Sequence, residues 1–323
     1  MVEAMSKSAG SRVRKSTVGA RTDIGKRRKH NEDAILVRED LGLYVVCDGM
    51  GGHFAGDVAS KLAVETIEQF FEETEVEFEP APPAEQYRDL DDGGLRLLEA
   101  IQRANAVVHA TAESMEARRG MGTTVVAAHL TPDGTIRVAH VGDSRCYRLG
   151  GAELEQITQD HSFVNNLRWS SPDVSDEELA GVPKNIITRA LGTRAMVEVD
   201  VRSELTLPGD TYLLCSDGLS GFVSSNEMLG ILIQSSTPQE AAEALIDAAN
   251  AHGGKDNISA IVIHMDDDED TLPVSRSELE AEAPPLQFDA QTGKWRCSRC
   301  GHEHVEGTIF CVECGLAFLR SDE

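Results

Sequence analysis

Two apolar segments in distant parts of the chain end in the same dipeptide, Asp-Gly. Asp48-Gly49 follows residues 44–47, and Asp217-Gly218 closely follows residues 212–215. A side chain at the end of a strand is held by the sheet and still faces solvent at the rim, where a ligand for a cation or reactant should lie. The glycine permits a sharp turn and a close approach of its carbonyl oxygen. Both dipeptides are therefore candidate ligand positions.

Four further acids stand at strand boundaries: Glu32, Asp33, Asp143 and Asp256. Several carboxylates at one rim repel one another unless a positive charge compensates them. Oxygen ligands without His or Cys at zinc spacing indicate Mg²⁺ or Mn²⁺ rather than Zn²⁺. The alternative is a set of ordinary turns, because Asp and Gly are common turn residues. That alternative explains any single Asp-Gly pair, but it does not explain why all these acids stand at strand boundaries.

Two other residues predict phosphoryl chemistry at this rim. Arg28 lies in a basic run four residues before Glu32, and a guanidinium beside a metal cluster suits bidentate capture of a phosphate. Two divalent cations would lower the pKa of a bridging water and create a nucleophile for phosphorus. His53 follows in the loop after Asp48 and could protonate the departing alkoxide. A solvated basic loop and a surface histidine are the competing interpretations.

The strand patterns predict antiparallel pairing. Residues 122–130 and 135–141 are extended runs joined by a Pro-Asp-Gly turn, which is typical of a hairpin. Residues 145–149 and 153–158 are predicted to continue this meander. The pattern excludes a parallel doubly wound sheet.

The helix patterns place amphipathic helices between the strands. Apolar residues at helical spacing predict helices over 57–72 and 95–115. A capping box at 237–240 predicts another helix, which stops at the glycines before residue 255 and is followed by a strand over 258–265. The acidic, proline-containing segment 74–94 is interpreted as a polar surface loop.

The composition limits the function classes. The net charge of −25 disfavours non-specific binding to nucleic acid or to an anionic membrane surface, since either needs excess Lys and Arg. The sequence contains no apolar run near 18 residues and no secretory signal pattern, which predicts a cytoplasmic protein. Cys47, Cys146 and Cys215 lie in apolar segments and are predicted to be core thiols rather than parts of disulfides.

Both ends of the chain differ from the middle. Residues 1–15 are Ser-, Lys- and Arg-rich and are predicted to be a flexible tail. Residues 266–293 carry nine acids and one Arg, which predicts an extended, self-repelling linker. A calcium loop is disfavoured there, because the glycine and ligand spacing of an EF-hand are missing.

The last segment, 294–323, carries two Cys-x-x-Cys pairs. These are Cys297 with Cys300 and Cys311 with Cys314, each pair followed by glycine. Four thiolates at this spacing predict one structural Zn²⁺ in a closed tetrahedral site, as in a zinc ribbon. So short a segment needs the metal in order to fold. A redox dithiol is the alternative, and the absence of a basic excess favours a protein partner over nucleic acid.

Eight motifs in order then resemble the bacterial branch of the metal-dependent protein serine/threonine phosphatases, the type-2C family. The resemblance covers roughly residues 16–265. The motifs are Thr22-Asp-Ile-Gly with Arg28 and Asn31-Glu-Asp33, Asp48-Gly-Met-Gly-Gly-His53, Met121-Gly-Thr-Thr124, Val141-Gly-Asp-Ser-Arg145, Asp160-His-Ser162, Ile187-Thr-Arg-Ala-Leu-Gly192, Ser216-Asp-Gly218 and Asp256-Asn257.

The resemblance implies an α+β fold, a four-layer α-β-β-α sandwich of two antiparallel sheets flanked by helices, over the phosphatase domain 16–265. It implies that Asp48 bridges two metal ions and that the carbonyl of Gly49 ligates one of them. Asp217 and Asp256 would complete the coordination of the other ion, and Asp143 together with Asp217 would hold a third ion. Glu32 and Asp33 would act largely through metal-bound waters, and Arg28 would bind the phosphate.

The implied activity is hydrolysis of phosphoserine and phosphothreonine in phosphorylated proteins, opposing a Ser/Thr kinase in signal transduction.

Some members of the family place the histidine directly after Asp-Gly, where this chain has Met50, so His53 follows the bacterial pattern. A flap segment is expected between Ser162 and Ile186. A catalytically inactive phosphoprotein-binding module would require a missing metal carboxylate. A dinucleotide loop at residues 49–53 is disfavoured, because Phe54 replaces the third glycine and Asp48 would repel a pyrophosphate.

Overall fold

The computed structural model of the chain describes residues 15–51, 55–114, 116–170, 182, 186–266, 286–289, 294–297 and 303–304. The described residues fall into two compact units. One contains the described residues of the ranges 15–80 and 92–266, and the other contains residues 81–91 and the described residues of the range 286–304.

The first unit contains two antiparallel sheets. The first sheet has the strand order β1-β11-β10-β7-β8. Its strands are β1 Ser16–Asp23, β7 Arg145–Gly150, β8 Glu153–Gln156, β10 Thr211–Cys215 and β11 Ile258–Met265. The second sheet has the order β2-β3-β5-β6-β9, with β4 paired to the end of β3. Its strands are β2 Asp33–Arg38, β3 Leu43–Met50, β4 Gly122–Thr123, β5 Val125–Leu130, β6 Thr135–Val141 and β9 Asp200–Leu205.

The two sheets pack face to face over one apolar core. Tyr44 and Val46 of β3 meet Tyr212 and Leu214 of β10 in this core, and all four side chains are buried. They occupy alternate positions of their strands, because successive side chains of a strand point to opposite faces. The outer faces of both sheets are also largely apolar and need a covering layer.

Helices provide that layer on each side. Helices α1 Ala55–Glu73 and α2 Asp92–Ser114 belong to the second sheet's side, where α1 packs against β2 and β3. On the first sheet's side, α5 Ser225–Gln234 and α6 Pro238–Ala251 share an apolar cluster with β10 and β11. The short helices α3 Phe163–Ser170 and α4 Asp217–Ser220 lie near the rim. The expected α+β arrangement of two antiparallel sheets and helices is confirmed.

The ends of α6 follow the predicted capping chemistry. The Thr237 Oγ1 accepts a hydrogen bond from the Glu240 N–H at 3.1 Å, and the Glu240 carboxylate accepts one from the Ser236 N–H at 3.0 Å. At the other end Gly253 and Gly254 have φ values of +117° and +52°, a region that glycine enters readily. The helix therefore stops at the position predicted from the two glycines.

One prediction about the strands was wrong. Residues 145–149 and 153–156 pair with each other and with β10, so they belong to the first sheet and do not continue the hairpin β5–β6. The chain changes sheets at Gly142, whose φ is +111°, and a Cβ there would come within 2.7 Å of Thr124. The predicted strand from Gly122 is also split, because Gly122 and Thr123 pair with the end of β3.

In the second unit, three strands form a small antiparallel sheet in the order β12-β13-β14. They are β12 Leu286–Asp289, β13 Lys294–Cys297 and β14 Glu303–His304. β12 falls inside the segment interpreted as the acidic linker, and Cys297 is the last residue of β13. None of the helices in the described residues is long and apolar enough to cross a membrane.

Several sequence predictions fall outside the described residues. These are the tail 1–14, His53, residues 171–181 and 183–185 of the flap segment, residues 267–285 of the linker, Cys300, Cys311 and Cys314.

Candidate active site

Five strand boundaries meet at one rim of the sandwich. β2 begins there, β3 and β10 end there, β6 turns into β7, and β11 begins just after residue 256. Asp33 and Asp48 are direct cross-strand partners in the antiparallel pair β2–β3. We call Asp33, Asp48, Asp143 and Asp217 the carboxylate cluster. The charges of Asp33, Asp143 and Asp217 all raise the pKa of Asp48, so the other three acids lie near it.

Asp33 is the most deeply buried member of the carboxylate cluster. Its Oδ2 accepts hydrogen bonds from the hydroxyls of Ser216 at 2.8 Å and Ser259 at 2.6 Å. Its Oδ1 is buried and accepts no hydrogen bond in the described structure. Burial raises the pKa of Asp33 to about 7, against the lowering effect of the two serine hydroxyls. One oxygen atom is thus oriented by the protein and the other is available to a ligand.

The other three members are also destabilised as carboxylates. Burial, followed by the charge of Asp33, raises the pKa of Asp48 well above its usual range. Burial, followed by the charge of Asp217, raises the pKa of Asp143 to about 7. Burial, followed by the charge of Asp256, raises the pKa of Asp217. A bound cation would relieve the repulsion among these acids.

Arg28 lies at the edge of the carboxylate cluster. Its Nη2 donates to Asp256 Oδ2 at 2.7 Å, and its Nη1 is 3.8 Å from Glu32 Oε2. Burial raises the pKa of Glu32, and the nearby guanidinium partly offsets this rise. The Arg28 side chain is 46% exposed, so the guanidinium can still reach a ligand from solvent. Arg28, Glu32 and Asp256 therefore form one contiguous edge of the site.

The two Asp-Gly dipeptides need glycine for close packing. A Cβ on Gly49 would lie 2.1 Å from the carbonyl oxygen of Gly56 in α1, and one on Gly218 would lie 1.8 Å from the carbonyl oxygen of Asn257. Any other residue would push the strand end away from its neighbour. The glycines thus hold the adjacent acids, Asp48 and Asp217, close to α1 and β11.

Hydroxyl groups support the backbone under Asp48. The Thr124 Oγ1 accepts a hydrogen bond from the Asp48 N–H at 3.0 Å, and the Thr123 hydroxyl donates to the Asp48 carbonyl at 2.9 Å. The Thr124 and Ser144 hydroxyls are 2.7 Å apart and buried. This network connects the end of β3 to the turn that carries Asp143, so two members of the cluster are positioned together.

The donor set of this rim fits hard divalent cations. The described acids at this rim offer carboxylate oxygens, which are the ligands that hard divalent cations prefer. The buried Oδ1 of Asp33 accepts no hydrogen bond from the described residues and is a polar atom that a cation or its bound water would satisfy. Mn²⁺ and Mg²⁺ both match such a set.

A second group of potential ligands lies at the base of the flap segment. His140, His161 and Asp200 bring one ligand atom each within 4.8 Å of one another. The Nδ1 of His161 accepts a hydrogen bond from the Gly142 N–H at 3.1 Å, and its Nε2 lies 3.3 Å from Asp200 Oδ2 and 3.1 Å from Arg189 Nη1. Arg189 donates to Asp200 Oδ1 at 2.8 Å. We call His161, Arg189 and Asp200 the His-Arg-Asp cluster.

The His-Arg-Asp cluster does not need a metal ion. The guanidinium of Arg189 already supplies positive charge to Asp200, whose Oδ1 lies 2.8 Å from Arg189 Nη1. The hydrogen bond and charge of His161 keep the pKa of Asp200 at about 2 despite its partial burial. Beside it, burial lowers the pKa of His140 to about 4, and this ring stacks on His161 with centroids 4.6 Å apart.

The structure places Arg28, Glu32, Asp33, Asp48, Gly49, Asp143, Asp217 and Asp256 at or near the strand boundaries of this rim, and their roles as ligands stay predictions. It also adds residues that the analysis did not single out. Ser216, Ser259 and Asn257 hold the acids in place. Ser216 precedes Asp217 directly and Asn257 follows Asp256 directly, so their positions beside predicted ligands were an available signal.

Comparison with known proteins places the chain in a recognised group. The family model for protein phosphatase 2C matches residues 25–251. The serine/threonine phosphatase stp of Listeria monocytogenes is 40% identical over 250 residues, which cover 76% of this chain and 94% of that protein. Protein phosphatase PhpP of Streptococcus pneumoniae is 31% identical over 251 residues, covering 77% of this chain and 97% of that protein.

Solved structures give the same result for the fold. The serine/threonine phosphatase PstP/Ppp of Mycobacterium tuberculosis superposes with a TM-score of 0.67 at 33% identity, covering 78% of this chain and 99% of that chain. The catalytic domain of PstP in complex with two manganese ions superposes with a TM-score of 0.65 at 34% identity, with the same coverage of 78% and 99%. The manganese ions belong to that structure.

Proposed function

The chain belongs to the protein phosphatase 2C family, whose members are metal-dependent phosphoprotein phosphatases, and we propose that it hydrolyses phosphoserine and phosphothreonine at the carboxylate cluster. The observation that carries this proposal is the carboxylate cluster, in which Asp48 lies among three other acids and the buried Oδ1 of Asp33 accepts no hydrogen bond from the described residues. Such a site has a strong requirement for positive charge.

Several groups would hold two or three Mn²⁺ or Mg²⁺ ions. They are the carboxylates of Asp48, Asp143, Asp217 and Asp256 and the carbonyl oxygen of Gly49, with Glu32 and Asp33 contributing through water. When bound, such ions supply Lewis-acid polarisation of the phosphoryl oxygens and acidify water for attack on phosphorus. The donor set and the raised pKa values of the acids support this assignment.

Arg28 would bind and orient the phosphate. Its guanidinium is anchored by Asp256 at 2.7 Å and retains exposed donors, which suits bidentate binding of two phosphoryl oxygens. Glu32 and Asp256 fix its position, so little side-chain entropy is lost when the substrate binds. His53 remains our candidate for the group that protonates the departing serine or threonine oxygen.

Hydrolysis of a phosphothreonine peptide with Mn²⁺ tests this proposal. We expect release of phosphate from the peptide, loss of that activity with a chelator, and loss with Asp217→Asn. Asp247→Asn is a matched control, because the Asp247 side chain is 69% exposed and pairs only with Arg21 among the ion pairs of the described residues. Activity that survives both chelation and Asp217→Asn would refute the proposal.

We further propose that the two Cys-x-x-Cys pairs bind one structural Zn²⁺ and that the ribbon contacts a protein partner. The three-stranded antiparallel sheet, whose central strand ends at Cys297, is compatible with a ribbon. Metal analysis of the full chain should find about one zinc ion per chain. That zinc should be lost in Cys300→Ser/Cys314→Ser and kept in Cys146→Ser, and its absence from the unaltered chain would contradict this assignment.

Two parts of the proposal concern the cell. We propose that the enzyme acts in the cytoplasm and that its substrates are phosphorylated by a Ser/Thr kinase. Co-expression with a candidate kinase should lower the phosphorylation of shared substrates when the phosphatase is active. The Asp217→Asn variant should leave that phosphorylation unchanged.

A further inference from the structure

One loop beside the site concentrates positive charge in an otherwise acidic chain. Lys26, Arg27, Arg28 and Lys29 are consecutive, while the whole chain has a net charge of −25. Arg28 alone among these four turns into the site and pairs with Asp256 and Glu32. Within the described residues, the side chains of Lys26, Arg27 and Lys29 are exposed and have no ion pair or hydrogen bond. Three cations are therefore available to a ligand.

The backbone of this loop is held rigidly. The N–H groups of Lys26 and Arg27 both donate to the carbonyl of Gly254, at 2.7 and 3.1 Å. The Asn257 side chain donates to the carbonyls of Ile24 at 3.0 Å and His30 at 2.9 Å. These bonds connect both ends of the loop to the segment that carries Asp256. The backbone that carries the three exposed cationic side chains is thus held in place beside Arg28.

Close packing adds to this rigidity. Gly25 has a φ of +76°, and a Cβ there would lie 2.1 Å from the carbonyl oxygen of Asp256. The Gly25 N–H also donates to the Asp23 carboxylate at 2.8 Å. The loop therefore lies directly on the strand boundary that carries a proposed metal ligand.

We propose that Arg27 and Lys29 select phosphoproteins in which acidic residues flank the phosphorylated Ser or Thr. This inference rests on the proposed phosphatase function and concerns its substrate class. With the phosphate bound at Arg28, the residues next to it in the substrate pass close to the side chains on either side of Arg28. Because opposite charges attract within the Debye length of about 8–10 Å, acidic flanks gain binding free energy there and basic flanks lose it.

The test uses the full chain with Mn²⁺ and two phosphothreonine peptides of equal length that differ only in Glu or Gln at the flanking positions. We expect the Glu peptide to have a kcat/KM higher by about tenfold, mainly through KM, at low ionic strength. The preference should shrink as salt is added. Equal values of kcat/KM for the two peptides, or a preference for the Gln peptide, would overturn the inference.

Variants test whether the loop with Arg27 and Lys29 causes the preference for the Glu peptide. In Arg27→Gln/Lys29→Gln the Glu-to-Gln ratio should fall to about one. The control Arg88→Gln/Arg103→Gln removes the same charge from side chains that pair with Glu85 and Glu73, and it should keep the preference. An equal fall in both variants would mean that total charge, not this loop, sets the preference, and would overturn the assignment. Failure of the unaltered enzyme to hydrolyse either peptide would instead refute the proposed function itself.

Discussion

The carboxylate cluster and the His-Arg-Asp cluster both contain acids at the end of a strand, and they differ in how their charge is compensated. In the His-Arg-Asp cluster, His161 and then Arg189, which lies 2.8 Å from Asp200, lower the pKa of this acid to about 2 despite its partial burial. In the carboxylate cluster, the pKa values of Asp33 and Asp143 are raised to about 7. A group of acids that lacks internal cations is therefore a better candidate for a metal site than a group of His and Asp that contains one.

A similar contrast exists beside the first cluster. Arg145 follows Asp143 by two residues, yet its guanidinium binds Asp160 through two hydrogen bonds of 2.8 and 2.7 Å. It also donates to the Tyr147 hydroxyl at 2.9 Å. The N–H groups of this guanidinium thus donate to Asp160 and Tyr147 rather than to Asp143, and the pKa of Asp143 stays raised.

The largest expected effect comes from neutralising the centre of the carboxylate cluster. Asp48→Asn should lower kcat on a phosphothreonine peptide by roughly 10³-fold, because a position that stabilises developing charge is lost. The same variant in chelator should be more stable to urea than the unaltered protein by about 1 kcal/mol, since it no longer needs a bound proton. A variant that is both inactive and less stable in chelator would contradict our account of the cluster.

Metal binding should stabilise the protein through this cluster alone. Mn²⁺ at a hundredfold excess over its Kd should raise the free energy of unfolding by about 2.7 kcal/mol, because the ion binds only the folded state. Thermal denaturation with and without chelator measures this. Asp48→Asn should lose the stabilisation, and Asp200→Asn should retain it. A stabilisation that depends on Asp200 would indicate that the His-Arg-Asp cluster binds the ion.

The two clusters should also respond oppositely to pH. Asp33 and Asp143 have raised pKa values in the folded state, so their stabilisation is complete below pH 4 and is lost as the pH rises to about 7. Urea titrations in chelator should therefore give an unfolding free energy that falls by roughly 2 kcal/mol between pH 5 and 7.5. Saturating Mn²⁺ should remove this slope. If the metal-free protein became more stable over this pH range, other groups of the protein would have to compensate the negative charge of these acids.

The smallest expected effect is in the His-Arg-Asp cluster. The folded-state pKa of Asp200 is about 2, so its stabilisation is present above pH 4 and is lost as the pH falls towards 2. Asp200→Asn should cost at most about 1 kcal/mol at pH 7, because the side chain is 48% exposed and solvent screens the pair. Denaturation at pH 7 and pH 3 measures the difference, which should shrink at pH 3. An undiminished cost at low pH would assign the effect to packing rather than charge.

Much of the site could be predicted from the order of residues, because its main acids stand next to strand ends or glycines. Asp48-Gly49 and Asp217-Gly218 are local patterns with a local physical cause. The wrong prediction that residues 145–156 continue the hairpin has a cause that is not local. Nothing in residues 145–156 themselves indicates which sheet they join, since both sheets are antiparallel and both offer apolar faces. The choice depends on Gly142 packing against Thr124, a contact between distant residues.

The sequence by itself determined which residues can carry charge to the rim, where helices stop and which family the chain resembles, because these depend on residue type and short spacing. Only the tertiary structure decided how the charges are paired. Asp200 is paired with the guanidinium of Arg189. Asp33 accepts hydrogen bonds from the hydroxyls of Ser216 and Ser259, which are far away in the chain. Electrostatic free energy depends on distance and burial in space, so equal residues in equal local patterns acquire opposite pKa shifts.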